Sequence, residues 1–263
     1  MKKYLIALQY SPLDQELAFK LADLIADIQE QPTDLADFMF SYRNDSTPPS
    51  QELISKLKLK FKNVYTYKAV NFATGWPAGC NALALETYGE FFKRCRSKEW
   101  NYCAVQLMES DSVPLARDWI AQLSREWHEC DWQWPLGNKQ HILGAYFVES
   151  DGIAHCNGNC LISSDYLKIN KAFKHATIAW DCEHKVSMME NARPSKLIYS
   201  DYQLCTERKP LECCEDLWKR REFGIGNPLH GEDIRPIFLH GPKTDQGIKC
   251  VRARFGLAEI PAD

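Results

Sequence analysis

The sequence has no long apolar run and no strong excess of charge of either sign. No stretch approaches the roughly 18 consecutive apolar residues that a membrane helix requires, and 32 basic against 35 acidic residues leave a net charge of −3. Without a basic surplus, no overall field draws the protein to nucleic acid or to anionic membranes. The short apolar run near Met1 has no small-residue cleavage site after it, so the sequence predicts a cytoplasmic protein without membrane insertion.

Paired cysteine motifs are also lacking, although the chain has 11 cysteines. In a reducing compartment such thiols are most simply small core residues. His155, Cys156 and Cys160 lie close together in the chain, but no second ligand pair follows at the spacing of a structural zinc site. The sequence therefore favours neither a disulfide framework nor a zinc site.

Strand and helix patterns alternate regularly through the first half of the chain. Apolar runs predict strands over 4–9, 36–42, 63–67 and 102–108. Helical spacing of apolar residues predicts helices over 13–28, 51–59 and 81–96. Short connections between alternating elements predict an α/β fold, with a mostly parallel Rossmann-like sheet flanked by helices. Because the 263 residues contain no repeat and no low-complexity linker, we expect one domain.

The second half has shorter and less regular patterns. They predict a helix over 116–127, a strand over 142–148, a tight turn over 155–159, a strand over 160–163, a helix over 165–173 and a last strand over 237–240. Asn157-Gly158 fits a hairpin turn, which would give Gly158 a structural role. From Pro228 onward the sequence shows few helix signals.

Two carboxylates one residue apart, Glu109 and Asp111, follow the fourth predicted strand. Burying ionised carboxylates is costly unless something pairs with them. Alternate residues of an extended segment point the same way, so both side chains can converge on one hard cation and leave positions for phosphate oxygens. Acid-x-acid triplets are common in loops, and 149–151 is another, so the surrounding residues must support the prediction of a metal–nucleotide site.

Polar residues also follow other predicted strands. Arg43-Asn44-Asp45 comes after the second strand, and a loop with Gly75 and Gly79 comes between the third strand and its helix. In parallel sheets, ligands bind beyond the carboxyl ends of the strands, where the strand order switches. The sequence therefore predicts one site at this edge of the sheet.

In this order of motifs the chain resembles a GT-A glycosyltransferase, from Tyr4 to about Ile248. The shared pattern comprises the polar end of the second strand, the glycine-containing loop with Asn81, the acid-x-acid motif and a near-terminal His-Gly-x-Lys, here 240–243. The turn 155–159 is similar to an HxNGN segment of such enzymes. Where the family usually has Asp-x-Asp, this chain has Glu109 in the first position.

The resemblance implies a single GT-A-like domain whose residues 1–115 bind the nucleotide sugar and whose residues 116–263 bind the acceptor and complete the metal and diphosphate site. It implies a divalent cation, Mn²⁺ or Mg²⁺, held by Glu109, Asp111 and His240. The nucleotide-binding residues it implies are Gln9, Tyr10, Arg43, Asp45, Gly79, Asn81, Ser110 and Lys243. The acceptor- or sugar-binding residues it implies are Trp134, His155, Asn157, Gly158, Asn159 and Trp180.

An inverting enzyme would also need a general base for the acceptor hydroxyl. Asp181 is the candidate, with Glu183 as the second choice, although Asp181 equally fits the N-cap of a helix. A retaining enzyme would need neither residue in this role, and the sequence leaves the stereochemistry open.

The resemblance implies a metal-dependent transferase that moves a sugar from a nucleotide-sugar donor, with a UDP-sugar favoured, to a hydroxyl acceptor. The acceptor is either a saccharide or a hydroxymethylated pyrimidine in DNA, as in phage-type DNA modification. One alternative is a sugar-phosphate nucleotidyltransferase, but Tyr10–Leu13 lacks the glycine-rich phosphate loop expected after the first strand. The other is a non-catalytic module that binds a nucleotide or a glycan.

Overall fold

A computed structural model describes residues 2–71, 73–129, 141–148, 154–166, 178–183, 185–200, 225–226, 233–234, 237–241 and 244–259. The elements of the first half are β1 (Tyr4–Tyr10), α1 (Gln15–Ile28), β2 (Ala36–Tyr42), α2 (Gln51–Lys58), β3 (Val64–Lys68), α3 (Ala78–Arg96) and β4 (Ala104–Glu109). Their order and bounds confirm the predicted alternation of strand and helix to within three residues at each end.

The second half contributes shorter elements. They are β5 (Ser112–Pro114), α4 (Trp119–Glu129), β6 (Ile142–Gly144), β7 (Tyr146–Val148), β8 (Ala154–Cys156), β9 (Leu161–Ser163), α5 (Trp180–Glu183), α6 (Lys185–Met189), β10 (Ala192–Pro194), β11 (Ile198–Ser200), β12 (Ile225–Gly226), β13 (Asp233–Ile234), β14 (Phe238–His240) and α7 (Gln246–Phe255). None of the helices in the described ranges has both the length and the hydropathy of a membrane-spanning segment.

Seven strands form the central sheet, in the order β10-β6-β9-β4-β1-β2-β3. β1 runs parallel to β2 and to β4, and β2 runs parallel to β3. β9 is antiparallel to both of its neighbours, β4 and β6, and β10 is parallel to β6. The predicted mostly parallel α/β sheet is therefore confirmed, and the strand order switches direction between β1 and β4.

Helices cover both faces of this sheet. Alternate residues of β1, from Tyr4 to Tyr10, join a core formed with α1, α2, α4 and α7, whereas Leu5 and Ala7 face α3. A strand buried on both faces needs apolar side chains on both. This explains why β1 is fully buried along its length and why its sequence is a continuous apolar run.

Three features of the second half differ from the sequence-based predictions. The prediction of a single strand over 142–148 is wrong, because the strand is interrupted at Ala145. β6, before it, joins the central sheet, and β7, after it, pairs with β8. His155 lies in β8 instead of a turn. The flanking strands β8 and β9 do not pair with each other, so the hairpin prediction for Asn157-Gly158 is also wrong. The helix predicted over 165–173 lies, beyond Tyr166, outside the described residues.

The helix α7 lies in the C-terminal region, where few helix signals were predicted from the sequence, and that prediction is wrong for this segment. Its buried residues include Ile248 and Val251, and Gly256 follows its last residue with a left-handed φ of +64°. Apolar spacing and a glycine just past the end are the sequence features that such a helix requires. Both features are present in this short segment, so the helix has a local cause in the sequence.

A second sheet brings the end of the chain back to β4. β14 lies between β11, with which it is parallel, and β5, with which it is antiparallel. The register places His240 opposite Ser112 and Leu239 opposite Val113. Because β5 begins three residues after β4 ends, this pairing delivers His240 to the carboxyl end of the central sheet.

Candidate metal and nucleotide site

The candidate site lies where the strand order switches, at the carboxyl ends of β1, β2 and β4. Gln9 is the register partner of Glu109, and the backbone N–H of Arg43 donates to the carbonyl oxygen of Tyr10 over 3.1 Å. The loop after β1 contacts residues 109–112, the acidic segment, directly, since Ser110 Oγ donates to Asp14 Oδ2 over 2.6 Å. This edge is where ligands bind in open α/β sheets.

Glu109, Asp111 and His240 come together in one cluster. His240 Nε2 lies 3.2 Å from Glu109 Oε2 and 3.4 Å from Asp111 Oδ1. One ligand atom from each residue falls within 4.8 Å of the others, a spacing at which three side chains can hold a metal ion. The side chains of Asp111 and His240 are 5% and 6% exposed, whereas that of Glu109 is 46% exposed, so the cluster opens to solvent on the Glu109 side.

The electrostatics of this cluster favour positive charge at its centre. Burial alone lowers the pKa of the His240 imidazole, but the carboxylates of Asp111 and Glu109 outweigh it and raise that pKa well above its ordinary value. A proton on the imidazole then neutralises one of the two negative charges. A divalent cation in place of this proton can neutralise both carboxylates. Carboxylate oxygens and an imidazole nitrogen are suitable ligands for Mn²⁺, and Mg²⁺ prefers the carboxylate oxygens. The residues present therefore fit a metal ion.

Neighbouring loops hold the acidic segment in place. Asn159 Oδ1 accepts hydrogen bonds from the backbone N–H of Glu109 and from Ser112 Oγ, both over 2.7 Å. The backbone N–H of Gly241 donates to the carbonyl oxygen of Asp111 over 3.1 Å. Asn159 was predicted from the sequence to contact a sugar, and the structure shows its carbonyl oxygen contacting the acidic segment.

The turn that carries Asn159 packs against α5. The backbone N–H of Gly158 donates to Asp181 Oδ2 over 2.9 Å. A Cβ at Gly158 would lie 3.3 Å from the ring of Trp180 and 3.4 Å from the same carboxylate oxygen. Glycine therefore suits this position because Trp180 and Asp181 approach closely, and its φ is not left-handed. Asp181 is the second residue of α5, where its carboxylate holds this turn.

Asn81 and Glu183 secure the segment before α5. The Asn81 side chain donates to the carbonyl oxygen of Ile178 over 2.8 Å and accepts from the backbone N–H of Trp180 over 3.1 Å. Glu183 Oε2 accepts from the backbone N–H of Ile178 over 3.0 Å. The structure thus brings Asn81, predicted to bind the nucleotide, together with Trp180, predicted to bind sugar or acceptor. Gly79 lies two residues earlier in α3, where a Cβ would come within 3.1 Å of the Thr74 backbone.

Of four predicted nucleotide-binding residues, Gln9 and Tyr10 are buried, whereas the side chains of Arg43 and Asp45 are 13% and 48% exposed. Gln9 donates to Thr87 Oγ1 over 2.9 Å, and the buried Tyr10 hydroxyl donates to the carbonyl oxygen of Thr47 over 2.9 Å. Arg43 pairs with Asp45 through both of its carboxylate oxygens, with Nε 2.6 Å from Oδ1. This hydrogen-bonded carboxylate raises the pKa of Arg43, to which the more distant Asp14 also contributes. Of these residues, Asp45 has the most exposed side chain.

Some predicted site residues lie beyond the part of the chain that the structure describes. These are Trp134 and Lys243, and for His155 the structure describes the backbone in β8 and not the side chain. Other residues at the site were missed from the sequence, namely Asp14 and Ser112. Asp14 follows β1 at the predicted ligand-binding edge, so its position was a usable signal, whereas nothing local marks Ser112.

Comparison with known proteins gives matches in structure and none in sequence. No family model matches the chain, and no curated protein matches it. The galactosyltransferase LgtC, solved in complex with donor and acceptor sugar analogues, superposes with a TM-score of 0.50 at 9% identity, covering 98% of this chain and 97% of that one. The glycosyltransferase GlyE of Streptococcus pneumoniae TIGR4 superposes with a TM-score of 0.51 at 11% identity, covering 94% of this chain and 56% of that one.

At such low identities the likeness shows the fold. The chain has a GT-A-like fold, with the mostly parallel central sheet and flanking helices of these glycosyltransferases. The sequence-based resemblance to GT-A enzymes is confirmed at this level.

Proposed function

We propose that this protein is a metal-dependent glycosyltransferase that moves a sugar from a nucleotide-sugar donor to a hydroxyl acceptor. One observation carries the proposal. In a GT-A-like fold, the cluster of Glu109, Asp111 and His240 lies where the strand order switches, with ligand atoms within 4.8 Å of one another. Such a cluster is suited to a cation that also binds the oxygens of a diphosphate.

The cation would be Mn²⁺ or Mg²⁺, held by Glu109, Asp111 and His240. When bound, it would act as a Lewis acid that neutralises the charge growing on the diphosphate leaving group. The protein supplies preorganisation: the carboxylate of Asp111 is buried, and hydrogen bonds to neighbouring loops fix the backbone of its segment. Fixed charge of this kind is commonly the largest catalytic contribution.

Other residues receive roles in this proposal from the sequence resemblance and, where the structure describes them, from their position. Arg43 and Asp45, which are hydrogen-bonded to each other, would bind the nucleotide together with Ser110, which lies between the two acids. Asp181 and Glu183 are the candidates for activating the acceptor, with Asn157 and Trp180 beside them for sugar contact. Lys243 is assigned to the diphosphate. Residues 1–115 would bind the donor, and residues 116–263 the acceptor.

The donor and the acceptor are proposed by chemical class. We favour a UDP-sugar as donor and a saccharide as acceptor, which is in keeping with LgtC, solved with donor and acceptor sugar analogues. A hydroxymethylated pyrimidine in DNA is the second acceptor class. A DNA acceptor requires a basic groove for its phosphates, and the net charge of −3 gives that alternative no support.

The first test measures nucleotide release from UDP-, GDP- and CMP-sugars, with and without Mn²⁺. Many transferases slowly transfer their sugar to water, so no acceptor is needed. We expect metal-dependent release from one donor. We also expect Asp111→Asn to abolish release with little change in melting temperature, and the exposed Asp34→Asn to serve as the matched control with wild-type release.

Other outcomes would point elsewhere. Absence of release from every donor, together with no nucleotide-induced rise in melting temperature, would refute the proposal. A rise in melting temperature without release, unchanged in Asp111→Asn, would favour a binding module. Release of pyrophosphate from a nucleoside triphosphate in the presence of a sugar phosphate would favour a nucleotidyltransferase.

A further inference from the structure

Asn159 lies where the β8–β9 connection meets the acidic segment. β9 is antiparallel to β4, with Leu161 opposite Gln106, and the backbone N–H of Leu107 donates to the carbonyl oxygen of Cys160 over 3.0 Å. Continuing this register toward the carboxyl end of β4 places Asn159, which is 1% exposed, opposite Met108, one residue before Glu109. The position follows from strand pairing and does not depend on any ligand.

The side-chain carbonyl of Asn159 spans the acidic segment. It accepts from the backbone N–H of Glu109 at one end and from Ser112 Oγ at the other, both over 2.7 Å. A backbone N–H can only donate, so the atom that accepts it must be the amide oxygen, which fixes the orientation of the amide group. The two bonds hold both ends of the stretch that presents the two acids to His240.

The amide nitrogen of Asn159 makes this arrangement costly. It is buried, and it finds no hydrogen-bond partner in the described part of the chain. A buried donor without a partner destabilises a fold. An aspartate would accept the same two hydrogen bonds and remove that cost, but it would add a negative charge beside two existing carboxylates. Asparagine is therefore the side chain that can hold the segment in the metal-free protein without a further buried charge.

We propose that Asn159 is a positioning residue for the metal ion, holding the segment 109–112 so that Glu109 and Asp111 stay beside His240. This inference rests on the proposed metal-dependent function. Asn159 does not itself contact the metal in this account. It acts through the backbone of Glu109 and the hydroxyl of Ser112, as the groups behind metal ligands commonly do.

Backbone order and metal affinity test the role together. In the metal-free protein, hydrogen exchange of the 109–112 amides should be accelerated in Asn159→Ala, and less so in Asn159→Asp, which keeps both hydrogen bonds but adds a buried negative charge. The Mn²⁺ affinity, measured by titration calorimetry on each protein, should fall about 10–100-fold in Asn159→Ala. Asn159→Asp should keep or exceed wild-type affinity, because both hydrogen bonds remain and a negative charge is added. Ser112→Ala, which loses one bond, should fall between them.

A matched control comes from the opposite edge of the sheet. Asn63 Nδ2 donates to Asp37 Oδ2 over 3.0 Å, so Asn63→Ala also removes an asparagine hydrogen bond. Its Mn²⁺ affinity should equal that of wild type. This comparison separates a general loss of stability from a loss of positioning.

The results distinguish failure of this inference from failure of the proposed function. If Asn159→Ala binds Mn²⁺ as wild type does, while wild type still releases nucleotide in a metal-dependent way, the positioning role is wrong and the function stands. If Asn159→Asp loses as much affinity as Asn159→Ala, the shared hydrogen bonds are not what matters, and the role is again wrong. If wild type binds no Mn²⁺, the metal site fails, and the positioning role fails with it.

Discussion

His240 Nε2 lies 3.2 Å from Glu109 Oε2, although 131 residues separate them in the chain. The contact exists because β14 pairs with β5, immediately after the acidic segment. Glu109 ends β4 of the central sheet, His240 ends β14 of the second sheet, and Asp111 lies in the turn between β4 and β5. The cluster is therefore a product of the tertiary structure.

The contribution of His240 to metal binding can be tested by His240→Ala. This variant keeps both carboxylates but removes the nitrogen ligand, so we expect the Mn²⁺-induced rise in melting temperature to be lost or strongly reduced. Mn²⁺ stabilises only to the extent that it binds the folded state. His128→Ala, in α4, is the control and should retain the full rise. An undiminished rise in His240→Ala would exclude His240 as a ligand.

Two glycines should respond to alanine in opposite directions. A Cβ at Gly144 in β6 would lie 2.7 Å from both Cys156 Sγ and Cys160 Cβ, so the buried neighbours must move. We expect Gly144→Ala to lower the free energy of unfolding by about 1–3 kcal/mol. Gly89 lies inside α3, where a Cβ would meet no neighbouring element of the described chain within 4 Å, so Gly89→Ala should raise it by about 0.5–1 kcal/mol. Urea denaturation measures the free energy of unfolding of both variants. A change of the same sign and size in both would contradict the close packing at Gly144 and the open space at Gly89.

The C-terminal helix is tied to α1 by charge. Arg252 contacts Asp23 and lies 2.7 Å from Asp27 Oδ2, and its side chain is 5% exposed. Arg252→Met should destabilise the protein by about 1–3 kcal/mol, below the roughly 3–5 kcal/mol of a fully buried pair, because Lys56 still pairs with both acids.

Lys249 provides the comparison on the same helix. It lies 3.2 Å from Asp245 with its side chain 63% exposed, and Lys249→Ala should cost about 0–1 kcal/mol. Thermal unfolding of both variants in low and high salt checks this comparison, since salt should weaken the exposed Lys249 contact more than the buried Arg252 contacts. A similar loss in both variants would show that the Arg252 contacts do not anchor the helix.

Glu126 should make stability depend on pH. Burial raises the pKa of Glu126, while hydrogen bonds from Ser195 Oγ and the backbone N–H of Lys196 partly oppose the rise. The folded state then binds the proton more tightly than the unfolded state does. Stability therefore falls as pH rises from the unfolded pKa, about 4.3, through the higher folded pKa. Denaturation of Glu126→Gln across this window should lack that decline, and an unchanged profile would contradict the assignment.

The first half of the fold could be predicted from the sequence because its signals are local. Helical spacing in α1 and the apolar runs of β1 and β2 each lie within one element, and burial on both faces made the strands continuous. The second half was harder because its strands have only two or three residues, too few for a period to show. The break at Ala145 between β6 and β7 is a case of this kind.

Part of the site was also present in the sequence. Glu109 and Asp111 could be predicted as metal ligands because acidic residues directly after an apolar strand need a partner. The grouping of Asp111 with His240 rested on a resemblance to a family, and the structure brings the two side chains within 3.4 Å. Asn159 was predicted to bind sugar or acceptor, and its contact with the acidic segment was not predicted, since no local pattern shows which loop its side chain will meet.

By itself the sequence determined the α/β class, the order of strands and helices in the first half, and the acidic segment at the end of β4. These depend on periodicity and burial along a few neighbouring residues. Only the tertiary structure decided that β14 returns beside β5 and that β9 runs antiparallel to β4. Those pairings join residues far apart in the chain through backbone hydrogen bonds, which any sequence can form. The contacts of His240 and Asn159 with the acidic segment are their consequence.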